Sequence, residues 1–465
     1  MAVEVEGAAT PRRFTRVLVP SGVLGLGFER AALESALALL PDIIAIDGGS
    51  TDSGPHFLGT GRSKYADAVC RAEWRDLMDA RGRLNIPLVI GSCGTCGADA
   101  QVDAMLDLTT ELAKELGQVL KVAVLYSGQA AETLVSAHQR GDITPLAQGT
   151  PLNPDTLRSC SNIVALAGVE QIQAALDTGA DIVLAGRATD TALIAALPIA
   201  QGRHAGAAWH AAKVSECGAL CSTHPTSGVV VVDIDASGFE IVATSEQARC
   251  TPRTVAAHML YENADPFLLH EPGGRLDVTN ARYAAIDERR VRVEGSEWKA
   301  DSRYTVKLEG ARANGFQTSL LVMLRDQRYV THAREWTERV AERLRESVTS
   351  RLALAAADWS LELRLIGVDA VLGDLETAAS TPHEIGVLAL VTADTQALAN
   401  EIARLADPLL LHCPLTDDEP LPTFAFPYSP ASTERGQQYT FCIDHVLTLA
   451  DPASAFRLAL HEIGR

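Results

Sequence analysis

The chain of 465 residues sets 40 Lys and Arg against 59 Asp and Glu, a formal charge of −19 with His neutral, and 47% of it is hydrophobic. This length predicts two or three domains with ample material for a buried core, and it excludes disorder as the dominant state. With no basic face and only 5% aromatic residues, nucleic-acid binding is excluded as the main role, because phosphates need cations and bases need stacking partners.

Met1 to Arg13 contains acidic residues and no apolar core of the signal-peptide type. The longest apolar runs, such as 229–232, have the length of strands and not of membrane spans, so no membrane association is expected. Nine cysteines, an odd number in a chain without a leader, predict reduced thiols and a cytoplasmic protein.

Residues 12–200 alternate short Val/Ile/Leu runs with helical stretches. The runs are 16–20, 42–46, 87–90, 119–126, 163–167 and 181–185, and the helices include 29–40, 63–80, 100–116 and 169–178. Near-continuous apolar strands between amphipathic helices predict an α/β fold, a doubly wound and mostly parallel sheet covered on both faces. Six strands are too few to close a barrel. Beyond residue 205 a helix is expected over 210–220, then a hairpin of 228–235 and 239–243 around Ser237-Gly238. Residues 262–303 read as irregular. A long helix follows at 331–357, its Trp336, Val340, Leu344, Val348 and Leu352 forming one apolar stripe. Strands at 361–368 and 385–392, a helix capped by Asp394 and a strand at 439–447 predict an α+β, ferredoxin-like C-terminal unit. The domain boundaries are set at 12–330, an α/β domain with an irregular insertion on its 12–200 core, and 331–465, the long helix plus the small α+β domain.

In a parallel sheet, ligands bind beyond the carboxyl ends of the strands, where loops and helix N-termini converge. Four loops there are rich in Gly, Ser, Thr and Asp. They place Ser21 and Gly22 after the first strand, and Asp47, Gly48, Gly49, Ser50 and Asp52 after the second. Gly91, Ser92, Cys93, Gly94 and Thr95 follow the third, and Arg187, Thr189 and Asp190 follow the strand at 181–185. A small-molecule site is expected on this edge. Gly25-Leu26-Gly27 with Asp47 beyond it imitates a dinucleotide fingerprint, but Arg30 stands where the third glycine belongs, which argues against NAD or FAD.

Within those loops, Asp47, Asp52, Asp99 and Asp190 are candidates for acid/base work or a divalent cation, because carboxylates crowded on one edge need a proton, a basic partner or a metal. Arg187, Arg62 and Lys64 are the nearby partners, and a guanidinium at a strand end suits a substrate carboxylate. Cys93 and Cys96 stand at C-x-x-C spacing at a helix start, where the dipole would lower a thiol pKa. Cys217 and Cys221 stand one helical turn apart. A four-thiolate zinc site, a redox pair, a two-thiol racemase and plain buried residues are all open readings. His210 and Lys213 share a helix face, and His210 could move a proton near neutral pH. Tyr261-Glu262-Asn263-Ala264-Asp265-Pro266 and Glu271-Pro272-Gly273-Gly274 form a polar loop able to close over a site.

Several unusual strings occur in one order: Val17-Leu18-Val19-Pro20-Ser21-Gly22, Ile46-Asp47-Gly48-Gly49-Ser50-Thr51-Asp52-Ser53-Gly54-Pro55, Ile90-Gly91-Ser92-Cys93-Gly94-Thr95, Leu184-Ala185-Gly186-Arg187-Ala188-Thr189-Asp190, Trp209-His210-Ala211-Ala212-Lys213 and Tyr261-Glu262-Asn263-Ala264-Asp265-Pro266. With these the chain resembles the acyclic terpene utilisation (AtuA-like) family from residue 15 to about 330, and the likeness is expected to extend over the whole chain. The resemblance implies a catabolic role, with a hydration step on a branched acyl-CoA. The site residues rest on the strand-end argument and not on the resemblance.

The expected function is a lyase of hydratase type acting on a small carboxylic acid or its acyl-CoA thioester. Asp47, Asp52 or His210 would take the proton next to the carbonyl. Arg187, with Lys64 or Lys213, would hold the acid, backbone amides at 91–94 would cradle the developing oxyanion, and a divalent metal ion on the Asp cluster would polarise the carbonyl. The alternatives are a cysteine-dependent isomerase or racemase built on Cys93, or a non-catalytic metabolite-binding subunit of a larger complex. A homo-oligomer is expected.

Overall fold

A computed structural model describes residues 13–146, 151–377 and 382–464. The stretch read for a leader, up to residue 12, lies outside the described residues. Five apolar runs pair side by side as parallel strands, in the spatial order Thr15–Val19, Ile43–Asp47, Leu88–Gly91, Ile182–Ala185, Leu120–Tyr126. Their side chains alternate between two faces, and both faces are covered. On one, helices Arg30–Leu37, Asp67–Leu84 and Asp99–Leu116 bring Leu33, Trp74, Leu77 and Leu112 into a core with Leu18, Ile44, Ile90 and Val124. On the other, helices Val169–Leu176, Asp190–Ala200 and Ala205–Ser215 bring Ile172, Leu193 and Trp209 into a core with Val17, Ala45, Val89 and Val183. Burial on both sides is why these strands read as continuous apolar runs.

Antiparallel strands extend the sheet at both ends. Arg457–Ile463 adds to Leu120–Tyr126, while Val230–Ile234, Gly238–Ala243, Arg290–Glu294 and Arg282–Ala285 add in that order beyond Thr15–Val19, for ten strands in all. The hairpin at 234–238 is tied by Asp235, whose Oδ1 accepts the N–H groups of Ser237 at 2.9 Å and Gly238 at 3.0 Å. The result is a mixed α/β fold on one large mixed parallel and antiparallel sheet.

Three expectations are corrected. The run at 163–167 does not enter the parallel sheet; strand Cys160–Ala165 pairs antiparallel with 308–312 instead. Its solvent-side residues Cys160, Ser161 and Asn162 are less buried than its end, a difference that strand length alone hides. Residues 262–303 are not irregular but hold Leu268–Glu271, Gly274–Asp277, Arg282–Ala285, Arg290–Glu294 and Glu297–Ala300. These strands are short and charged on their outer faces, which masked the alternation. The helix expected at 210–220 is Ala205–Ser215, and a separate 3₁₀ turn, Gly218–Cys221, follows it.

The chain divides into two compact units: the described residues up to Arg312 with those from Phe441 on, and Ala313–Thr440. The second unit runs strand–helix–strand–strand–helix–strand. Helices Ala333–Leu352 and Gln396–His412 pack on strands Trp359–Ile366 and Ile385–Ala393 and on residues 316–324. The predicted stripe is the buried face: Trp336, Val340, Leu344 and Val348 are in the core, with Leu352 at its edge. The second helix is capped by Thr395, whose hydroxyl accepts the Leu398 N–H at 3.2 Å, and not by Asp394. Among the described residues no helix is long and apolar enough to cross a membrane.

Candidate functional site

The glycine-rich loops at the carboxyl ends of the parallel strands are knitted to one another. Gly48 N–H donates to Gly91 O at 2.8 Å, Ser92 N–H to Gly186 O at 2.8 Å and Cys93 N–H to Ala185 O at 3.1 Å. A Cβ on Gly48 would meet the Gly91 and Ser92 carbonyl oxygens at 2.7 Å, and one on Gly97 would meet Arg187 N at 2.1 Å. These glycines are there because backbones touch. The amides of Ser92 and Cys93 are spent on the Gly186 and Ala185 carbonyls, so these two hold loops together and are not free to serve in the oxyanion cradle expected at 91–94.

Beside this knot lies a cleft of about 460 Å³ in the first unit. Of the expected residues, Ser21, Gly22, Asp47, Ser50, Asp52, Lys64 and Asp190 line it. Tyr261 and Glu262, from the polar loop, line it too, and so do Tyr65 and Cys217. Lys64 and Asp52 are exposed at its mouth, with Lys64 Nζ donating to Ser53 Oγ at 3.3 Å.

Asp47 closes the second parallel strand and is 3% exposed. Its Oδ2 accepts the Gly49 N–H at 2.8 Å, while Oδ1 is buried with no hydrogen-bond partner. Burial pushes its pKa well above the carboxylate range and Asp190 adds to this; Arg187 and the Gly49 and Gly48 amides only partly offset them. Asp190 is the first residue of helix Asp190–Ala200. Burial raises it, Arg187 and Lys213 pull it back, and Glu262 and Asp52 push it up again, to about 6. Glu271 joins the same carboxylate group: its Oε1 accepts Thr191 Oγ1 at 2.5 Å, its Oε2 is buried without a partner, and burial carries it to about 7.

Arg187 is turned into the knot. Its Nε donates to Glu309 Oε2 at 2.8 Å and its Nη1 to Ser92 Oγ at 3.1 Å. Glu309 Oε1 in turn accepts Thr51 Oγ1 at 2.8 Å and lies 3.1 Å from Lys307 Nζ. Burial would raise the Glu309 pKa, but Arg187 and Lys307 bring it down to about 2. The guanidinium therefore braces the loops after the third and fourth parallel strands, reaches the loop after the second through Glu309, and adds positive potential near Asp47 and Asp190, while its hydrogen bonds go to protein groups.

The remaining expected residues are placed as follows. His210 is fully buried, with Nδ1 2.7 Å from Ser296 Oγ and Nε2 3.1 Å from Tyr283 OH; burial lowers its pKa to about 3. Both ring nitrogens face the antiparallel flank, outside the cleft lining. Lys213 Nζ donates to Glu216 Oε1 at 2.6 Å, and burial would lower its pKa but Glu216 holds it above the ordinary value. Cys93 is fully buried and its thiol is pushed up by burial, the reverse of the helix-dipole expectation; Cys96 is pushed up to about 12. Cys217 lies in the turn after Ser215, next to Glu216 and His258, whereas Cys221 is a free thiol hydrogen-bonded to Cys250. Gly49 and Gly94 lie in the knot. Thr95 Oγ1 accepts the Lys64 N–H at 2.9 Å, and Thr189 caps its helix by accepting the Ala192 N–H at 3.1 Å. Asp99 lies elsewhere, bonded to the Gly128 N–H at 3.0 Å.

Glu216, Glu309 and His258 were not singled out from sequence. Glu216 stands between the flagged Lys213 and Cys217, and Glu309 lies two residues beyond Lys307, so spacing offered a signal for both; His258 offered none.

Fold and site together define an α/β protein whose polar chemistry collects beyond the ends of its parallel strands. A family model described as acyclic terpene utilisation family protein AtuA matches residues 88–416, and the chain belongs to this family. The match takes in Arg187, Asp190, Lys213 and His258 and begins after the Asp47 loop. No curated protein and no solved structure matches.

Proposed function

We propose that this chain is an enzyme of lyase type that adds or removes water next to the carboxyl or thioester group of a small, branched acid. One observation carries the reading: Asp47 and Asp190 line the same cleft, one of them with a buried oxygen that has no partner. Two carboxyl groups whose surroundings separate their proton affinities can work as acid and base at one pH. Asp190 would remove the proton on the carbon next to the carbonyl. Asp47, in its protonated form, would give a proton to the departing hydroxyl as the C–O bond breaks, so that water leaves and a C=C bond forms. Lys64 at the mouth would hold the substrate carboxylate, and Arg187, from behind, would restrain the charge of the enolate-like state. The family's association with acyclic terpenes supports a branched substrate. In this reading the second unit is a ferredoxin-like layer, supported by its strand and helix order.

The test is a panel of β-hydroxy and α,β-unsaturated acids, free and as CoA thioesters, incubated with the chain in D₂O. Deuterium should enter at the α-carbon, and Asp190→Asn should slow entry by about 10²–10⁴-fold with the circular dichroism spectrum unchanged. Equal exchange by wild type and Asp190→Asn, or none across the panel, rejects the reading.

A further inference from the structure

Immediately after helix Ala205–Ser215, three side chains of different chemistry turn toward one point. Glu216, Cys217 and His258 each offer a ligand atom, and the three atoms lie within 4.8 Å of one another. No other group of three such donors meets this distance among the described residues; the carboxylates Asp47, Asp52 and Asp190 do not. His258 is 5% exposed, its ring is stacked on Tyr261 with centroids 5.4 Å apart, and its Nε2 is buried with no hydrogen-bond partner. A buried imidazole nitrogen left unpaired costs stability unless something outside the chain occupies it. Glu216 is held by Lys213 Nζ, 2.6 Å from Oε1. Cys217 lines the cleft.

We propose that Glu216, Cys217 and His258 form a binding site for a zinc-class divalent cation, with the fourth coordination position open to the cleft. A thiolate, an imidazole and a carboxylate are a borderline-soft donor set, the kind that selects zinc over magnesium or calcium. Tetrahedral zinc with bonds of about 2.0–2.3 Å keeps its ligand atoms about 3.3–3.8 Å apart, so a small side-chain adjustment closes the trio onto an ion. The charge balance favours it. Lys213 opposes a cation, but Asp190 and Glu271 act on Glu216, and Asp190 and Glu262 act on Cys217, which leaves the pocket with a surplus of carboxylates. Three protein ligands and one open position facing a cavity are the arrangement of a catalytic zinc and not of a closed structural one. The site stands on its own donors and does not depend on the lyase reading.

The test reads metal binding and not turnover. The full chain, stripped with a chelator, is titrated with Co²⁺. One equivalent should bind with a thiolate-to-cobalt charge-transfer band and the intense visible bands of tetrahedral cobalt, and Zn²⁺ should displace it. Cys217→Ser should lose the charge-transfer band. His258→Gln should bind on the order of 100-fold more weakly, at or beyond the loss seen for groups that only orient a ligand. In the unmodified chain, one equivalent of Zn²⁺ should slow alkylation of Cys217 by at least about 10-fold while leaving Cys70 unaffected, which needs no variant to fold. Absence of the band, its survival in Cys217→Ser, or unchanged alkylation of Cys217 overturns the proposal.

Discussion

Arg187 and Glu309 form a buried ion pair, Nε to Oε2 at 2.8 Å, between the loop after strand Ile182–Ala185 and the long strand Tyr304–Leu324. Glu309 also holds Thr51, four residues beyond Asp47, so one carboxylate ties two cleft-forming loops to a strand far away in sequence. Removing one partner of such a pair strands the other charge in low dielectric, which is much more costly than replacing both. Glu309→Gln keeps the volume and removes the charge. It should lower unfolding stability by about 3–5 kcal/mol, read from the urea midpoint, and a shift under about 1 kcal/mol would mean that water reaches the pair.

The same carboxylate gives the fold an acid limit. Its pKa falls from the ordinary 4.5 to about 2 in the folded chain, so the native state favours the ionised form. The stabilisation is complete above pH 4.5 and is lost as pH falls toward 2. From the size of the shift it is worth on the order of 3 kcal/mol. Stability measured from pH 6 down to 2 should drop more steeply in the wild type than in Glu309→Gln, which has no carboxylate to protonate there. Parallel curves would remove Glu309 from the acid response.

The parallel strands, the helices covering them and the strand-end loops were legible because each signal is local: apolar runs, 3.6-residue periodicity and Gly/Ser/Asp clusters. Asp47, Asp52, Asp190 and Lys64 do line one cleft for the reason the loops suggested. What local pattern cannot give is the partner across the chain. Arg187 looked like a substrate clamp because Glu309 is 122 residues away, and His210 looked like a base because Ser296 and Tyr283, which take both its nitrogens, lie in a segment whose short charged strands read as irregular. The two cysteines thought to share a helix parted because the helix stops at Ser215. Position along the chain is visible in sequence, while burial and long-range pairing decide what a polar residue is for.

Gly97 and Gly117 have nearly the same backbone, φ +65° and +64°, yet different surroundings. A Cβ on Gly97 would lie 2.1 Å from Arg187 N, whereas one on Gly117 meets nothing within 4 Å. The left-handed conformation costs any L-residue about 1–2 kcal/mol, so Gly117→Ala should lose about that much. Gly97→Ala must in addition push apart the Cys93 and Arg187 loops, so it should lose several kcal/mol more or fail to accumulate as folded protein. Equal urea midpoints for the two variants would show that the loop knot yields without strain.

The thiols provide a test of placement that needs no substrate. Cys93, Cys96, Cys221, Cys250 and Cys413 are buried, whereas Cys70, Cys160, Cys217 and Cys442 are partly exposed. Alkylation requires both access and a thiolate; burial pushes the Cys93, Cys96 and Cys217 thiols all away from ionisation, so access sets the order. In the folded chain, alkylation should therefore reach Cys217 well before Cys93, and Cys93 should react only at the rate of unfolding. Rapid modification of Cys93 would return it to the list of candidate nucleophiles. The Cys160 and Cys442 sulfurs are 3.1 Å apart, so a mild diazene oxidant should take two electrons and two protons from this pair and leave one disulfide. Peptide mapping should then show residues 160 and 442 cross-linked, with a mass loss of two hydrogens; a cross-link joining other cysteines first would mean that the Cys160 and Cys442 sulfurs do not lie side by side.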